Sequence, residues 1–306
     1  MTIARAEIES ASSRIAGHVR RTPTAEIEPG TLWFKLEQLQ HSGSFKARGA
    51  FNRILSAAEA GALPVSGVVA ASGGNAGLAV AYAAGRLGVP AEVYVPETAP
   101  QVKVRRLAAL GATVVQVGSK YADAHEASLK RAAETGALLC HAYDQPEICA
   151  GQGTLGLELL EQTGGVDTVL IAVGGGGLMA GVAAAVAGRA RVVGVEPRTV
   201  PTLHEALRAG RPVDVEVSGI TADSLGATRL GDIAYDVAVG TGVASLLVED
   251  ADVVAARRLL WERHRLMVEH GTAAAFAALH TGAYRPAAGE RVAVVLCGAN
   301  TDPSDL

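Results

Sequence analysis

Four consecutive glycines, Gly174 to Gly177, are the strongest chemical signal in the sequence. They follow the apolar segment VDTVLIAV and precede LMAGVAAAV, a pattern that predicts a buried strand and then a helix. Four glycines cost conformational entropy and add nothing to a core, so the backbone itself must be needed there. Between a strand and a helix, their N–H groups converge on an anion at the positive end of the helix dipole. The sequence therefore predicts a phosphate site, with a tight packing turn as the alternative.

The identity of the phosphate ligand stays open on this evidence. The spacing Gly175-x-Gly177-x-x-Ala180, with Glu196 at the end of the next predicted strand, imitates the dinucleotide-binding fingerprint. A nicotinamide (NAD)-dependent dehydrogenase is therefore a rival interpretation. The mid-chain position of the loop and its lack of side chains argue against that rival.

The segment Ser72-Gly73-Gly74-Asn75 repeats the strand–loop–helix arrangement nearer the N-terminus. Its backbone donors can hold a second anionic group such as a carboxylate, and Asn75 offers a donor and an acceptor together. A plain turn is the alternative for this loop alone. Two such loops together predict a ligand with a phosphate at one end and a carboxylate near the other.

Lys46 is one of five lysines and lies in SGSFKARGA, between a polar loop and an apolar helix. Because Phe45 and serines surround it, we expect an amine partly withdrawn from water, whose lowered pKa makes the neutral nucleophile accessible. A solvated lysine at a helix start is the alternative. Cys297 ends the last apolar strand, where ligands of open α/β sheets gather, and is a candidate for a neutral thiol partner to a ring nitrogen. A buried structural cysteine is the alternative there.

Alternating strands and helices must position these residues. The hydrophobic pattern predicts this alternation from residue 67 to 141 and again from 146 to 297, which is typical of parallel sheets with helices on both faces. We expect two α/β lobes with a ligand cleft between them. Residues 198–242 read as irregular, and a helix is predicted over 250–268 with Asp250 as its N-cap.

The composition excludes several classes of protein. With 306 residues, 49% of them apolar and 19% charged, the chain can bury a large core and is not disordered. A net charge of −4 without a block of like charges argues against nucleic acid or an anionic membrane as partner. The uncharged stretches 62–85 and 168–188 carry glycine loops in their middle, so neither is expected to span a membrane. The N-terminal residues do not have the pattern of a signal peptide. The three cysteines, Cys140, Cys149 and Cys297, include no CxxC pair, so we expect no disulfide framework and a reducing, cytoplasmic location.

Seven segments resemble the fold-type II pyridoxal-phosphate enzymes, and most of all their serine/threonine dehydratase branch, which holds threonine ammonia-lyase and serine racemase. In chain order they are SGSFKARGA, SGGNAGLAVAYAA, AGQGTLGLELL, VGGGGLMAG, GVEP, WERHRLMVEHGTAA and LCGAN. The resemblance implies a two-domain α/β fold like that of tryptophan synthase β, in which each domain is a mainly parallel, open, twisted sheet flanked by helices. It implies a large cofactor-binding domain of residues 1–48 and 149–306, and a small substrate-closing domain of residues 49–148.

The resemblance also implies a role for each candidate residue. Lys46 would hold pyridoxal 5′-phosphate as a Schiff base and remove the substrate's Cα proton, with Phe45 packed on the pyridine ring. Asn75 would bind the ring hydroxyl and Cys297 the ring nitrogen. Backbone N–H groups of Gly174, Gly175, Gly176, Gly177 and Leu178 would bind the phosphate, and Ser72, Gly73, Asn75 and Ala76 the substrate carboxylate.

The activity implied is that of an L-threonine and L-serine ammonia-lyase, which removes water and then ammonia to give 2-oxobutanoate or pyruvate. Dehydration of another 3-hydroxy amino acid, such as phenylserine or hydroxyaspartate, is an alternative. Serine racemase, a β-replacement synthase, threonine synthase and a binding protein without turnover are others. Since the chain ends directly after LCGAN, we expect no regulatory domain and no feedback control by isoleucine. The resemblance also implies a homodimer.

Three positions depart from the family pattern. Gly73 takes the place of the serine that handles protons on the opposite ring face in serine racemases, so we expect an L-specific dehydratase with little racemase activity. The family's divalent-cation site pairs the glutamate of GVEP with an aspartate six residues later, but here Thr202 follows Glu196 at that distance. The sequence therefore leaves the cation open: Glu196 is a candidate ligand of a monovalent cation, and a purely structural residue is the alternative. His270 stands where relatives usually have proline or a small residue, and no role is predicted for it.

Overall fold

The computed structural model describes residues 3–305 as two sheets with helices packed on their faces. The larger sheet has six strands and the smaller has four, and every strand pairing is parallel except the first. This confirms the predicted α/β class with mainly parallel sheets. The strands are β1 (Thr24–Glu28), β2 (Leu32–Lys35), β3 (Val68–Ala71), β4 (Ala91–Val95), β5 (Thr113–Gln116), β6 (Leu138–Leu139), β7 (Thr168–Ala172), β8 (Arg191–Pro197), β9 (Ala244–Val248) and β10 (Val292–Val295). Their order is β1-β2-β10-β7-β8-β9 in the larger sheet and β5-β4-β3-β6 in the smaller, and β1 with β2 is the antiparallel pair.

Helices connect most of the parallel strands. They are α1 (Arg5–Ile15), α2 (Lys46–Glu59), α3 (Asn75–Leu87), α4 (Gln101–Ala109), α5 (Tyr121–Thr135), α6 (Pro146–Thr163), α7 (Gly177–Val186), α8 (Thr202–Ala209), α9 (Ala222–Leu225), α10 (Asp232–Thr241), α11 (Asp250–His264) and α12 (His270–His280). Short 3₁₀ turns lie at Glu37–Leu39, His41–Gly43 and Pro303–Asp305. Lys46 and the two glycine loops thus stand at helix N-termini, because α2 begins at Lys46 and α3 and α7 begin at the ends of the loops. The fourth candidate, Cys297, follows β10 instead.

The central strands are apolar throughout because helices cover both faces of each sheet. All five residues of β7 and all four of β10 are buried. Helices α6 and α7 pack on one face of the larger sheet and α11 and α12 on the other, while α2 and α3 face α5 across the smaller sheet. The two long uncharged stretches become β3–loop–α3 and β7–loop–α7. Among residues 3–305, no helix combines the length and the hydropathy that crossing a bilayer requires.

Two local predictions are wrong. Residues 198–242 are not irregular but contain α8, α9 and α10, and α8 is a short amphipathic helix that ends at the left-handed Gly210 (φ 69°). Helix α11 ends at His264, earlier than predicted, because Arg265 takes a left-handed conformation (φ 56°). Its N-cap is Glu249, whereas Asp250 is the first helical residue. Strand β1 was not predicted.

Helices α2, α6 and α7 pack against each other through glycines, without side chains between their backbones. A Cβ atom added at Gly151 of α6 would lie 2.7 Å from the Arg48 carbonyl oxygen of α2. A Cβ at Gly153 would lie 2.6 Å from the Gly181 carbonyl oxygen of α7, and one at Gly181 would lie 2.2 Å from the Cys149 carbonyl oxygen. Contacts this short do not occur, so these positions require glycine. The close packing brings the starts of α2, α6 and α7 together.

A buried group of four charged side chains lies next to the start of α2. The Arg48 guanidinium pairs with Glu37 at 2.6 Å and with Glu158 at 2.7 Å, and Lys35 Nζ pairs with Glu158 at 2.8 Å. Arg48, Lys35 and Glu37 are fully buried. Buried charges of this kind persist only where they are paired, and here two cations balance two anions. The cluster therefore fixes α2, and with it Lys46, against β2 and α6.

We expect Glu158→Ala to destabilise the protein by about 3 to 5 kcal/mol, because it leaves two buried cations short of a partner. Denaturant unfolding followed by circular dichroism measures the change. The matched control is Glu205→Ala, which removes a carboxylate from the exposed pair with Arg208 and should cost less than about 1 kcal/mol. Equal costs for the two variants would contradict a structural role for the buried cluster.

Candidate active site

The Lys46 amine lies where the start of α2 meets the segment before α6. Its Nζ donates a hydrogen bond to the Ala142 carbonyl oxygen at 2.6 Å and lies 4.9 Å from the centre of the Phe45 ring. Burial lowers the pKa of Lys46 to about 8, although the acidic groups around it act in the opposite direction. The neutral amine is thus accessible near neutral pH, as expected for a nucleophile or a base.

Two thiols face this amine. Burial raises the pKa of Cys297 and that of Cys149 to about 12, so both thiols are protonated at neutral pH. Cys297 Sγ lies 3.2 Å from Thr272 Oγ1, and Cys149 Sγ donates to the Tyr143 carbonyl oxygen at 3.0 Å. A protonated Cys297 has the neutral character that a thiol partner to a ring nitrogen needs.

Glu269 is a site residue that the sequence analysis did not single out. It is the N-cap residue of α12, and its buried carboxyl group accepts a hydrogen bond from Asn75 Nδ2 at 2.8 Å. Burial raises its pKa to about 7, while the Asn75 amide and the Lys46 charge lower it. The sequence offers one signal for Glu269, a lone carboxylate within the mainly apolar run LMVEHGTAAAF. A charge buried in such a run requires a partner, which indicates a site residue.

The loop of residues 72–75 joins β3 to α3, as predicted. Both ends of the Asn75 amide are engaged, since Nδ2 binds Glu269 and Oδ1 accepts from Asn300 Nδ2 at 2.7 Å. The Gly73 N–H meets no acceptor among residues 3–305, and the N–H groups that open α3 are free for a ligand. The loop therefore presents the backbone donors that a carboxylate requires. Ser72 and Gly73 precede the helix, and Asn75 and Ala76 are its first residues.

The loop of residues 174–177 joins β7 to α7. Its first three N–H groups meet no acceptor in the part of the chain that the structure describes. A Cβ added at Gly175 would lie 2.3 Å from the Tyr143 ring, and one at Gly176, whose φ is 86°, would lie 2.5 Å from a neighbouring side chain. Leu178 follows as a buried residue of α7. Positions 175 and 176 therefore require glycine, and the free donors that the loop leaves at a helix N-terminus fit a phosphate group.

Glu196 and Thr202 lie at the start of α8, where both are engaged in hydrogen bonds. The Glu196 carboxylate accepts hydrogen bonds from the Leu203 N–H at 2.7 Å and the His204 N–H at 2.9 Å, at the start of α8. Burial raises the pKa of Glu196 to about 7, whereas these two N–H groups lower it. Within residues 3–305, no group of three or more His, Cys, Asp or Glu side chains could hold a metal ion. The residues present do not fit the family's divalent-cation site, and Glu196 instead caps a helix.

Comparison with known proteins agrees with this geometry. The family model for pyridoxal-phosphate dependent enzymes matches residues 15–298. An L-threonine ammonia-lyase from Thermotoga maritima is 34% identical over 97% of this chain and 75% of its own length. A phenylserine dehydratase from Ralstonia pickettii is 39% identical over 95% of this chain and 91% of its own length. The structure of maize serine racemase has a TM-score of 0.91 at 31% identity, covering 99% of this chain and 95% of that protein.

The chain belongs to the family of pyridoxal-phosphate dependent enzymes. Its relatives include fold-type II ammonia-lyases and dehydratases, so the predicted family, fold and cofactor are confirmed and the NAD-dependent dehydrogenase is set aside. The site fits this cofactor on its own geometry. It has a cradle of free N–H groups for the phosphate, a buried amine with a lowered pKa, and a protonated thiol beside that amine.

We expect Lys46 of the apoenzyme to react with an amine-selective reagent with a midpoint near pH 8, against about 10.4 for a solvated lysine. Glu269→Gln should move the midpoint to lower pH, because the carboxylate charge stabilises the ammonium form. Peptide mass spectrometry of the labelled residue measures both values. Glu205→Gln, on the surface of α8, is the control and should leave the midpoint unchanged; a wild-type midpoint of about pH 10 would contradict the assignment.

Proposed function

We propose that this enzyme is an ammonia-lyase that dehydrates and deaminates L-threonine and L-serine to 2-oxobutanoate and pyruvate. The observation that carries the proposal is the buried Lys46 amine, whose pKa is lowered to about 8, together with one loop suited to a phosphate and one suited to a carboxylate. The L-threonine ammonia-lyase relative supports it over nearly the whole chain.

We assign the site residues as follows. Lys46 holds the cofactor, with Phe45 on its ring, Asn75 at its hydroxyl and Cys297 at its ring nitrogen. Gly174, Gly175, Gly176, Gly177 and Leu178 hold its phosphate, and Ser72, Gly73, Asn75 and Ala76 hold the substrate carboxylate. The strands of the two sheets support a large domain of residues 1–48 and 149–306 and a small domain of residues 49–148. We also propose a cytoplasmic homodimer; the three free, buried cysteines agree with a reducing compartment.

The protein's own groups supply the proton chemistry. When bound, pyridoxal phosphate supplies the electron sink for the carbanion at the substrate Cα. The 72–75 loop holds the carboxylate and so orients the Cα–H bond, and the neutral Lys46 Nζ accepts the proton. The β-hydroxyl leaves as water with one proton, and water then hydrolyses the released enamine acid to ammonia and the 2-oxo acid.

Two features favour elimination over racemisation. Cys297, whose thiol is protonated at neutral pH, would hold the ring nitrogen of the bound cofactor without giving it a full charge, and such a ring would supply a weaker electron sink, which favours elimination. Gly73 places no side chain on the face opposite Lys46, although a Cβ there would meet only ordinary contacts with Val95 and Lys103. Position 73 therefore supplies no side-chain proton donor of the kind that forming a D-amino acid requires.

We expect the purified enzyme to be yellow and to release ammonia and a 2-oxo acid from L-threonine or L-serine without a thiol co-substrate. Lys46→Ala should lower kcat by about a thousandfold or more, because it removes both the anchor and the base. Lys130→Ala, an exposed lysine on α5, is the matched control and should retain wild-type turnover. Borohydride should fix the chromophore on the Lys46 peptide.

The same preparation tests the alternatives to this activity. A fixed chromophore on Lys35 or Lys103 would show that another lysine holds the cofactor. Rapid formation of D-serine from L-serine would show a racemase instead. Turnover that depends on an added thiol would show a β-replacement synthase.

A second candidate is a dehydratase of a 3-hydroxy amino acid with an aromatic ring on Cβ, such as phenylserine. The rings of Tyr121, His125, His141 and Tyr143 contact each other in series, with centroid separations of 5.8, 6.0 and 4.7 Å. His141 and Tyr143 flank Ala142, the carbonyl group that binds Lys46 Nζ, so this row of rings reaches the reacting amine.

The charge state of this row favours a ring over a second carboxylate. Burial lowers the pKa of His141 to about 4, so its imidazole is neutral and does not supply the cation that hydroxyaspartate would need. His141 Nδ1 accepts the Asp144 N–H at 2.9 Å, which holds the ring in place. The phenylserine dehydratase relative adds support for this candidate.

Ratios of kcat/KM for L-threo-phenylserine and L-threonine separate the two candidates. If the row of rings contacts the substrate, His125→Ala should lower kcat/KM for phenylserine by about three- to tenfold and leave that for threonine unchanged. His18→Ala is the matched control, since it removes a histidine paired with Phe51 at 5.5 Å outside this row. A wild-type enzyme that prefers threonine by about a hundredfold or more would exclude the aromatic substrate.

A further inference from the structure

A buried chain of hydrogen bonds joins the 174–177 loop to β8 and α8. Thr202 Oγ1 donates to the Gly174 carbonyl oxygen at 2.5 Å and lies 3.0 Å from Glu196 Oε1. Neither Thr202 nor Glu196 has exposed surface. The Glu196 carboxylate in turn holds the first N–H groups of α8, where Thr202 is the first residue. The loop is thereby tied to a neighbouring strand and helix through one hydroxyl group.

Within residues 3–305, the Thr202 hydroxyl group is the one side chain that forms a hydrogen bond with the 174–177 loop. The Gly175 carbonyl oxygen accepts the Gly231 N–H at 3.0 Å, and that of Gly176 accepts the Ala180 N–H at 2.8 Å. The Gly174 carbonyl oxygen has Thr202 in place of such a backbone partner. Four glycines in succession do not hold a conformation by themselves, so each of these anchors contributes to the shape of the loop.

We propose that Thr202 is a positioning residue for the cofactor phosphate, which orients the 174–177 loop through a hydroxyl group and without a bound cation. The Gly174 C=O and the Gly175 N–H belong to one planar peptide unit and point in opposite directions. Anchoring the oxygen on Thr202 therefore aims the Gly175 N–H away from α8, and that N–H is one of the donors with no acceptor in the described chain.

The surroundings of Glu196 oppose a cation in the same place. Two backbone N–H groups point at its oxygen atoms, and they carry the positive end of the α8 dipole. The Gly174 oxygen already accepts a hydrogen bond from Thr202. The oxygen atoms of Glu196 and Gly174 are therefore already engaged by hydrogen-bond donors of this chain. This inference rests on the proposed phosphate role of the loop and not on the identity of the substrate.

Pyridoxal-phosphate affinity of the apoenzyme, measured by absorbance titration, tests the proposal. Thr202→Val keeps the shape of the side chain and leaves the Gly174 oxygen without its donor, so the Kd should rise by about tenfold. Thr202→Ser keeps the hydroxyl group and should stay within about threefold of wild type. Thr168→Val is the matched control, because it removes a buried hydroxyl, also bonded to a glutamate, from the far end of β7. It should leave the Kd unchanged even if it lowers the Tm.

The cation part of the proposal has its own readout. EDTA treatment should change the wild-type Kd for pyridoxal phosphate by less than about twofold, and Mg²⁺, Mn²⁺ or K⁺ should not raise the Tm of the apoenzyme. The inference would be overturned if Thr202→Val bound pyridoxal phosphate as tightly as the wild type does. It would also be overturned if EDTA lowered the affinity of the wild type and Mn²⁺ restored it. Wild-type protein that binds no pyridoxal phosphate at all would instead overturn the proposed function.

Discussion

The close approach of three helix backbones is the constraint on which the site depends. Helices α2, α6 and α7 meet where glycines face carbonyl oxygens, as at Gly151 against Arg48 and at Gly153 against Gly181. Each of these helices contributes to the site near its first turn: α2 the Lys46 amine, α6 the Cys149 thiol and α7 the glycine loop. A single added methyl group at these crossings would separate the helices and pull the amine away from the phosphate cradle.

The groups around the Lys46 amine differ in charge from the cluster behind α2. Full charges are collected in the cluster around Arg48, where cations and anions balance. The groups that face the amine are protonated thiols and a carboxyl group whose pKa burial raises to about 7. These groups raise the pKa of Lys46 less than burial lowers it, so the amine is not locked as an ammonium ion. A base that must alternate between holding a cofactor and accepting a proton needs this freedom.

Local patterns were enough to predict each strand–loop–helix unit, because an apolar strand, a glycine loop and an apolar helix are contiguous in sequence. The short helices of residues 198–242 could not be predicted in this way. Helix α8, for example, has only eight residues and Pro201 at its N-cap, and its N–H groups are held by Glu196 from the end of β8 rather than by a residue at the usual cap position. Glu269 was missed because its partner Asn75 lies 194 residues away. His270, without a predicted role, has its Nε2 3.4 Å from Arg257 Nη1, a contact no local pattern shows.

The two ligand loops are held in different ways, and this difference bears on how binding proceeds. The 174–177 loop is fixed from the elements around the larger sheet, by Thr202 and the Gly231 N–H. The 72–75 loop follows β3 of the smaller sheet. Its Asn75 is nevertheless held by Glu269, the N-cap of α12, and by Asn300, which follows β10, and both of these elements belong to the larger sheet. The phosphate cradle is therefore preorganised within one lobe, whereas the carboxylate site takes its shape from contacts between lobes. A ligand group that touches Asn75 therefore depends on how the two sheets are placed, whereas a group bound only by the 174–177 loop does not.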